Sequence, residues 1–196
     1  SEMITDAKRR VRRLVWEVIA PRVAYYGANA PVLLLPGQSD EEIVEVRNRL
    51  DSPCITAYDI DPVAVAIARR AGVEAERRDV LCLPARKWVA ANYDSCGVVL
   101  PGLLARVRSV AAHTLSVVGV SVSRGRWALP RLPQRRIQSV RDAGWPVRRV
   151  ECVETLAAAL PAWNLCAAFS YRGHVAWMLT TVWCKRPGDA AILEIR

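Results

Sequence analysis

The chain has 196 residues, 52% of them apolar, and a formal net charge of +9. This is enough apolar material for one folded domain, which argues against a disordered segment, and no run reaches the roughly 18 consecutive apolar residues of a transmembrane helix. Charge is uneven: residues 1–95 hold 14 basic and 14 acidic groups, while residues 96–196 hold 14 basic and 5 acidic and so supply the whole excess.

The first predicted helix covers residues 6–20 and is ended by Pro21. Val11, Leu14, Val15, Val18 and Ile19 form its apolar stripe, with Lys8, Arg9, Arg10, Arg12 and Arg13 on the other side. With the loop through Tyr25-Tyr26-Gly27 it makes an N-terminal segment, residues 1–30, ahead of an α/β domain, residues 31–196. No secretory leader is expected, because the basic start lacks a following apolar block.

Residues 31–62 are the most informative. Val32 to Leu35 reads as a buried strand, Pro36-Gly37-Gln38 as a tight turn, and Cys54 to Asp59 as a second strand ending in an acid. Gly37 and Asp59 are 22 residues apart, near the roughly 20 that separate phosphate turn and ribose acid in a nucleotide-binding unit. Ser39 and Glu42 have capping-box spacing, so the intervening helix is predicted to start at Ser39. Asp40, Glu41 and Glu42 then fill its first turn. Three carboxylates there oppose the pyrophosphate that a dinucleotide fold places at that end. A cationic, phosphate-free adenosine ligand fits better, which points to S-adenosylmethionine ahead of NAD or FAD. The plainer reading is a βαβ unit with a capped helix and no ligand.

Further along, Asp61-Pro62 starts a helix that Gly72 closes. Val73 to Arg77 is a third strand, ending at Asp79-Val80. Residues 85–92 read as a short helix, Cys96 to Leu100 as a fourth strand, Leu103 to His113 as a helix and Leu115 to Ser123 as a fifth strand. Gln134 to Ala143 reads as a helix, and residues 147–153 and 175–183 as the last two strands, paired as an antiparallel hairpin. Alternating strands and helices predict a mostly parallel sheet covered on both faces. The six cysteines are widely spaced and no C-x-x-C occurs, so neither a metal site nor a disulfide framework is expected, and a reducing cytoplasm is the simplest location.

In Val32 to Gly37, Tyr58 to Pro62, Arg78-Asp79-Val80 and Tyr93-Asp94, the chain resembles the class I S-adenosylmethionine-dependent methyltransferases over about residues 30–185. The resemblance implies a Rossmann-like, seven-stranded, mostly parallel sheet with helices on both faces and an antiparallel last strand. It implies that the turn Pro36, Gly37 and Gln38 lies against the methionine part of the cofactor. Asp59 would accept both ribose hydroxyls and Ile60 pack on the adenine. Asp79 would take the adenine amine, and the Val80 amide a ring nitrogen. The departures are specific. The turn has one glycine, and Pro36 stands where the family usually has an acid that orients the methionine amine. Leu100-Pro101-Gly102 replaces the Asn-Pro-Pro-Tyr type of tetrapeptide.

Eight arginines and one acid lie between Arg124 and Arg149, which reads as an electrostatic footprint for nucleic acid. Arg124 and Arg126, following the fifth strand, and Tyr171 are the candidate substrate-binding residues. The expected function is methyl transfer from S-adenosylmethionine to nucleic acid, with no metal and no membrane partner. The alternative is a catalytically silent protein of this fold that binds nucleic acid or a protein through its basic half. A NAD-linked oxidoreductase ranks third.

Overall fold

The computed structural model describes residues 5–123, 131–173 and 176–196, without the side chains of residues 96 and 98. Helix α1 (Asp6–Val23) leads into strand β1 (Pro31–Leu35), α2 (Glu41–Arg49), β2 (Cys54–Asp59), α3 (Pro62–Arg70) and β3 (Glu74–Arg77). Then come β4 (Trp88–Val98), α4 (Pro101–Ala112), β5 (Thr114–Ser123), α5 (Gln138–Asp142), α6 (Val147–Ala159), β6 (Asn164–Arg172), β7 (Trp177–Cys184) and β8 (Ala191–Ile195). The sheet has eight strands among the described residues, in the order β3-β2-β1-β4-β5-β7-β6-β8. β7 runs against both its neighbours, and every other described pairing is parallel. The mostly parallel α/β sheet is therefore as expected. The count is eight instead of seven, and the reversed strand is the one before the last.

Two apolar layers hold the sheet. Val11, Val15, Trp16 and Ile19 of α1 pack with Ile43 and Val46 of α2 and Val65 and Ala68 of α3 on one face. Leu103, Leu104 and Val107 of α4 pack with Val150, Val153 and Leu156 of α6 on the other. α1 thus covers the sheet as part of the domain core. It also runs through Pro21 to Val23. A proline one turn from a helix end costs a single interior hydrogen bond, and Arg22 donates to the Val18 carbonyl at 2.6 Å in that same turn.

Three assignments differ from the sequence reading. Residues 85–92 were expected to be helical, but β4 begins at Trp88, and Trp88, Val89, Ala90 and Ala91 are all buried. A central strand covered on both faces needs small apolar side chains, and that demand overrides alanine's helix preference. Residues 147–153 form α6, not a strand, because Val150, Val153, Leu156 and Ala157 recur at helical spacing and bury one face. The hairpin partner of β7 is β6, within the stretch read as a connection.

The cysteines also depart from expectation. β6 carries a bulge between Leu165 and Ala167, so Cys166 is the extra residue opposite β7. Both Cys166 and Ala167 then face the α1 layer, together with Cys184. The Cys166 and Cys184 sulfurs are joined as a disulfide, with Cα atoms 6.2 Å apart. Among the described residues no helix is long and apolar enough to cross a membrane, and no group of three or more His, Cys, Asp or Glu is placed to hold a metal ion.

Candidate functional site

The strand order reverses direction between β1 and β4, with β2 and β3 to one side and β5 to the other. In an open α/β sheet the crevice beyond the carboxyl ends of the strands at that point is where ligands bind. A cavity of about 460 Å³ lies there. Gly37 and Gln38 line it from the turn after β1, Asp59, Ile60 and Asp61 from the end of β2, Asp79 and Val80 from beyond β3, and Tyr93, Asp94 and Ser95 from β4. Six of the seven residues expected at a cofactor therefore meet in one place. Pro36 does not line the cavity.

Local backbone chemistry sets each group. Gly37 has φ 64°, the left-handed conformation that lets the chain turn sharply off β1. The Asp59 carboxylate accepts from the Asp61 amide at 2.8 Å. Burial pushes the Asp59 carboxyl above the ordinary carboxylate range, with neighbouring amides, Asp61's first, pulling the other way. Asp61 caps α3 by accepting from the Val63 amide at 2.8 Å, and it receives Gln38 Nε2 at 2.6 Å. That pair ties the β1 turn to the β2 end. Asp79 accepts from the Leu81 amide at 3.0 Å and from Arg106 Nη2 at 2.9 Å, and these two contacts lower its pKa. Burial pushes the Tyr93 hydroxyl up to about 12, so near neutral pH it is a hydrogen-bonding group and not a base. Ile60 is 66% exposed and presents a bare apolar side chain at the wall.

The acids of α2 behave differently from the sequence expectation. The helix starts at Glu41 with Asp40 as its cap residue, and Ser39 Oγ accepts from the Glu41 amide at 3.2 Å without forming a capping box. Glu42 has turned inward and is fully buried, receiving Trp16 Nε1 at 3.0 Å and the side-chain amide of Asn92. Glu41 faces α1, where Arg9 Nε is 3.0 Å away and Arg12 Nη1 3.6 Å. None of Asp40, Glu41 and Glu42 lines the cavity, so these three acids do not oppose a pyrophosphate there. The negative lining comes instead from Asp59, Asp61, Asp79 and Asp94, set against Arg78 and Arg106. Sequence reasoning missed both arginines as lining groups; Arg106 arrives from α4, and nothing in its local sequence marks it.

The candidate substrate residues fare less well. Tyr171 is 1% exposed and packs in the α1-side core. Its position on β6, two strands beyond β5, keeps it out of the cavity lining. Arg124 and Arg126 lie outside the described residues. Of the arginines further along, Arg135 binds the carbonyls of Ala157, Leu160 and Trp163 at the end of α6. Arg141 makes a two-pronged contact with Glu154 at 2.6 and 2.7 Å. Arg149 stacks on Trp177 at 4.0 Å. These three serve the fold.

No protein-family model matches the chain, and no curated protein matches it. Solved structures do. Magnesium protoporphyrin IX methyltransferase from Synechocystis superposes with a TM-score of 0.61 at 10% identity, over 95% of this chain and 86% of that one. The chain has the class I methyltransferase fold. A putative sarcosine dimethylglycine methyltransferase from Galdieria sulphuraria gives 0.60 at 10% identity, over 94% and 87% of the two chains. The [4+2]-cyclase SpnF gives 0.59 at 15% identity, over 92% and 82%. A cyclase among these neighbours shows that this fold does not fix the reaction, so function has to be argued from the site.

Proposed function

We propose that this protein is a methyltransferase that takes S-adenosylmethionine in the cavity between β1, β2 and β4. The observation that carries the reading is the meeting of Gly37, Gln38, Asp59, Ile60, Asp79 and Val80 around one cavity of about 460 Å³. The lining suits a cationic adenosine ligand, with four carboxylates against two guanidiniums. An ionised Asp59 at a strand end is a two-oxygen acceptor for a vicinal diol. Ile60 offers an apolar surface to a planar ring. Asp79 would share its carboxylate between Arg106 and an exocyclic amine. When bound, S-adenosylmethionine supplies an electrophilic methyl group on a sulfonium. The protein's part is to hold donor and acceptor in line, which needs positioning more than a strong base. Calorimetric titration with S-adenosylmethionine, S-adenosylhomocysteine and NAD is the test. Binding of the first two and not the third is expected; NAD alone binding would overturn the assignment.

For the acceptor we propose nucleic acid. The support is the positive excess of residues 96–196. Among the described arginines of the cluster, Arg131, Arg136 and Arg148 are exposed, with Arg136 donating to the exposed Gln138 side chain at 3.0 Å. At about −0.7 per phosphate for a single strand, three contacts give a log–log salt slope of about −2, and Arg124 and Arg126 would extend it to about −3.5. All eight arginines of the cluster would give about −6. A slope near zero removes nucleic acid as the acceptor. The second reading, a catalytically silent protein of this fold, draws on Pro36 and the single-glycine turn. Labelled methyl transfer into RNA, DNA and protein fractions separates the two.

A further inference from the structure

A second cavity, of about 430 Å³, shares no lining residue with the first. That volume falls within the roughly 300–1,000 Å³ of small-molecule sites. It lies at the opposite end of the sheet. β5 runs parallel to β4, and β6 runs the same way, since both are antiparallel to β7. Ser116 and Cys166 line the cavity from near the amino ends of β5 and β6, and Cys184 from the carboxyl end of β7. The Cys166–Cys184 disulfide is thus part of the wall, its two residues 7% and 4% exposed. The strand pairing does not depend on it, because β6 and β7 are held together from Leu165–Trp183 to Arg172–Trp177 by the backbone ladder. The charged part of the wall is Arg22 and Arg186 against the carboxylate of Asp189. Arg22 gives one nitrogen to the Val18 carbonyl, and Arg186 lies 5.9 Å from the ring centre of the exposed Tyr25. Two guanidiniums and one carboxylate beside a sulfur–sulfur bond complement a thiol that carries carboxylates and an ammonium.

We propose that this cavity is a thiol–disulfide exchange site, in which a small amino-acid or peptide thiol sets its carboxylates on Arg22 and Arg186 and its ammonium on Asp189, and opens the Cys166–Cys184 bond. The thiol loses its proton to solvent, and its thiolate attacks one of the two sulfurs. A mixed disulfide forms, the protein's sulfur–sulfur bond breaks, and its electron pair leaves on the other cysteine as a thiolate. A second thiolate of the same kind attacks the small-molecule sulfur of the mixed disulfide, releases the remaining cysteine and departs as the symmetric disulfide. Two small thiols are oxidised, the protein takes up the two electrons, and both cysteine thiolates regain protons from solvent. No part of this step involves S-adenosylmethionine.

The test uses glutathione, which has two carboxylates and one ammonium, and the neutral 2-mercaptoethanol. The full chain is treated with each, quenched in acid and alkylated, and the state of Cys166 and Cys184 is read by peptide mass. Dividing each rate by the same thiol's rate on the urea-unfolded chain removes intrinsic reactivity. Glutathione should then be favoured about tenfold on the folded protein, the low end of electrostatic steering, and the preference should shrink with salt. Arg186→Ala should reduce the preference and leave the mercaptoethanol rate within about twofold. Oxidised glutathione should restore the disulfide, and Cys166→Ser should trap the mixed disulfide on Cys184. If that variant does not fold, Cys184→Ser traps it on Cys166, and the wild-type rates need neither. A disulfide that opens only in urea, equal normalised rates for the two thiols, or cysteines that stay reduced in oxidised glutathione would each overturn the exchange site.

Discussion

Replacing Glu42 by glutamine removes a charge and almost no volume from a side chain with no solvent exposure. Its Oε1 receives Trp16 Nε1 at 3.0 Å and the Asn92 side-chain amide. Its Oε2 and the Asn92 Oδ1 are both buried without a partner among the described residues. Two acceptors are stranded, and a protonated Glu42 turns Oε2 from a stranded acceptor into a donor while Asn92 Nδ2 still donates to Oε1. Burial pushes the Glu42 carboxyl above the usual range, against the pull of Arg12 and of the hydrogen bonds from Asn92 and Trp16. A carboxyl whose folded pKa is raised stabilises the protein fully below its unfolded value and loses that contribution as pH rises through the folded value. Glutamine carries a permanent N–H at the same place and has no such loss. Leaving a buried polar atom unsatisfied costs about 1–3 kcal/mol. Glu42→Gln should therefore match wild type within about 0.5 kcal/mol at acid pH and exceed it by about 1–3 kcal/mol at about pH 8. Glu42→Ala strands Trp16 Nε1 and Asn92 Nδ2 and should cost about 2–6 kcal/mol at acid pH, a gap that narrows by about 1–3 kcal/mol at about pH 8, where wild type has lost the contribution of the neutral acid. Urea unfolding followed by tryptophan fluorescence across that range measures all three. A difference between Gln and wild type that does not change with pH would refute the neutral-acid reasoning.

Asp59→Ala should weaken S-adenosylmethionine by about 1.5–3 kcal/mol in calorimetry, with the unfolding midpoint little changed; normal affinity in a folded variant removes Asp59 from the site. Arg141→Ala leaves Glu154, whose side chain is 2% exposed, without its partner, while Arg141 itself is 44% exposed. Arg141→Ala should lower the urea midpoint at neutral pH, by less than loss of a fully buried pair would. The sign with pH is opposite to that at Glu42. Glu154 has its pKa lowered, by Arg141 first. The pair's stability is present above the unfolded glutamate pKa and disappears as pH falls through the folded one, so wild type and variant should converge in acid. Parallel unfolding curves down to low pH would count against the pair.

The first half of the site was legible because its signals are local. A strand ending in an acid, a glycine with positive φ and an Asp-Pro helix start each constrain their own backbone. Gly37, Asp59, Asp61 and Pro62 duly do what short-range chemistry requires of them. The α2 acids were misread for the complementary reason. Their fate depends on α1, some thirty residues away in sequence, which brings Arg9 and Arg12 to Glu41 and Trp16 to Glu42. Nothing within the helix itself distinguishes a carboxylate aimed at a ligand from one buried under a neighbour.

The same limit governs the basic half of the chain. A guanidinium that binds three carbonyls at a helix end, as Arg135 does, contributes to net charge in the sequence exactly as much as one in solvent. Its field is nevertheless spent on the protein's own dipole. Arginine suits that work because its five donors sit in a rigid fork. Charge clustering is thus an upper bound on the surface available to phosphate, and packing lowers it residue by residue. At the cavity the correction runs the other way. Asp94, one of the residues that carried the family resemblance, comes to the cavity wall from β4, and Lys8 and Arg12 of α1 hold its carboxylate. That anchoring comes from a helix some eighty residues earlier in the chain, which is why the sequence around Asp94 does not announce it.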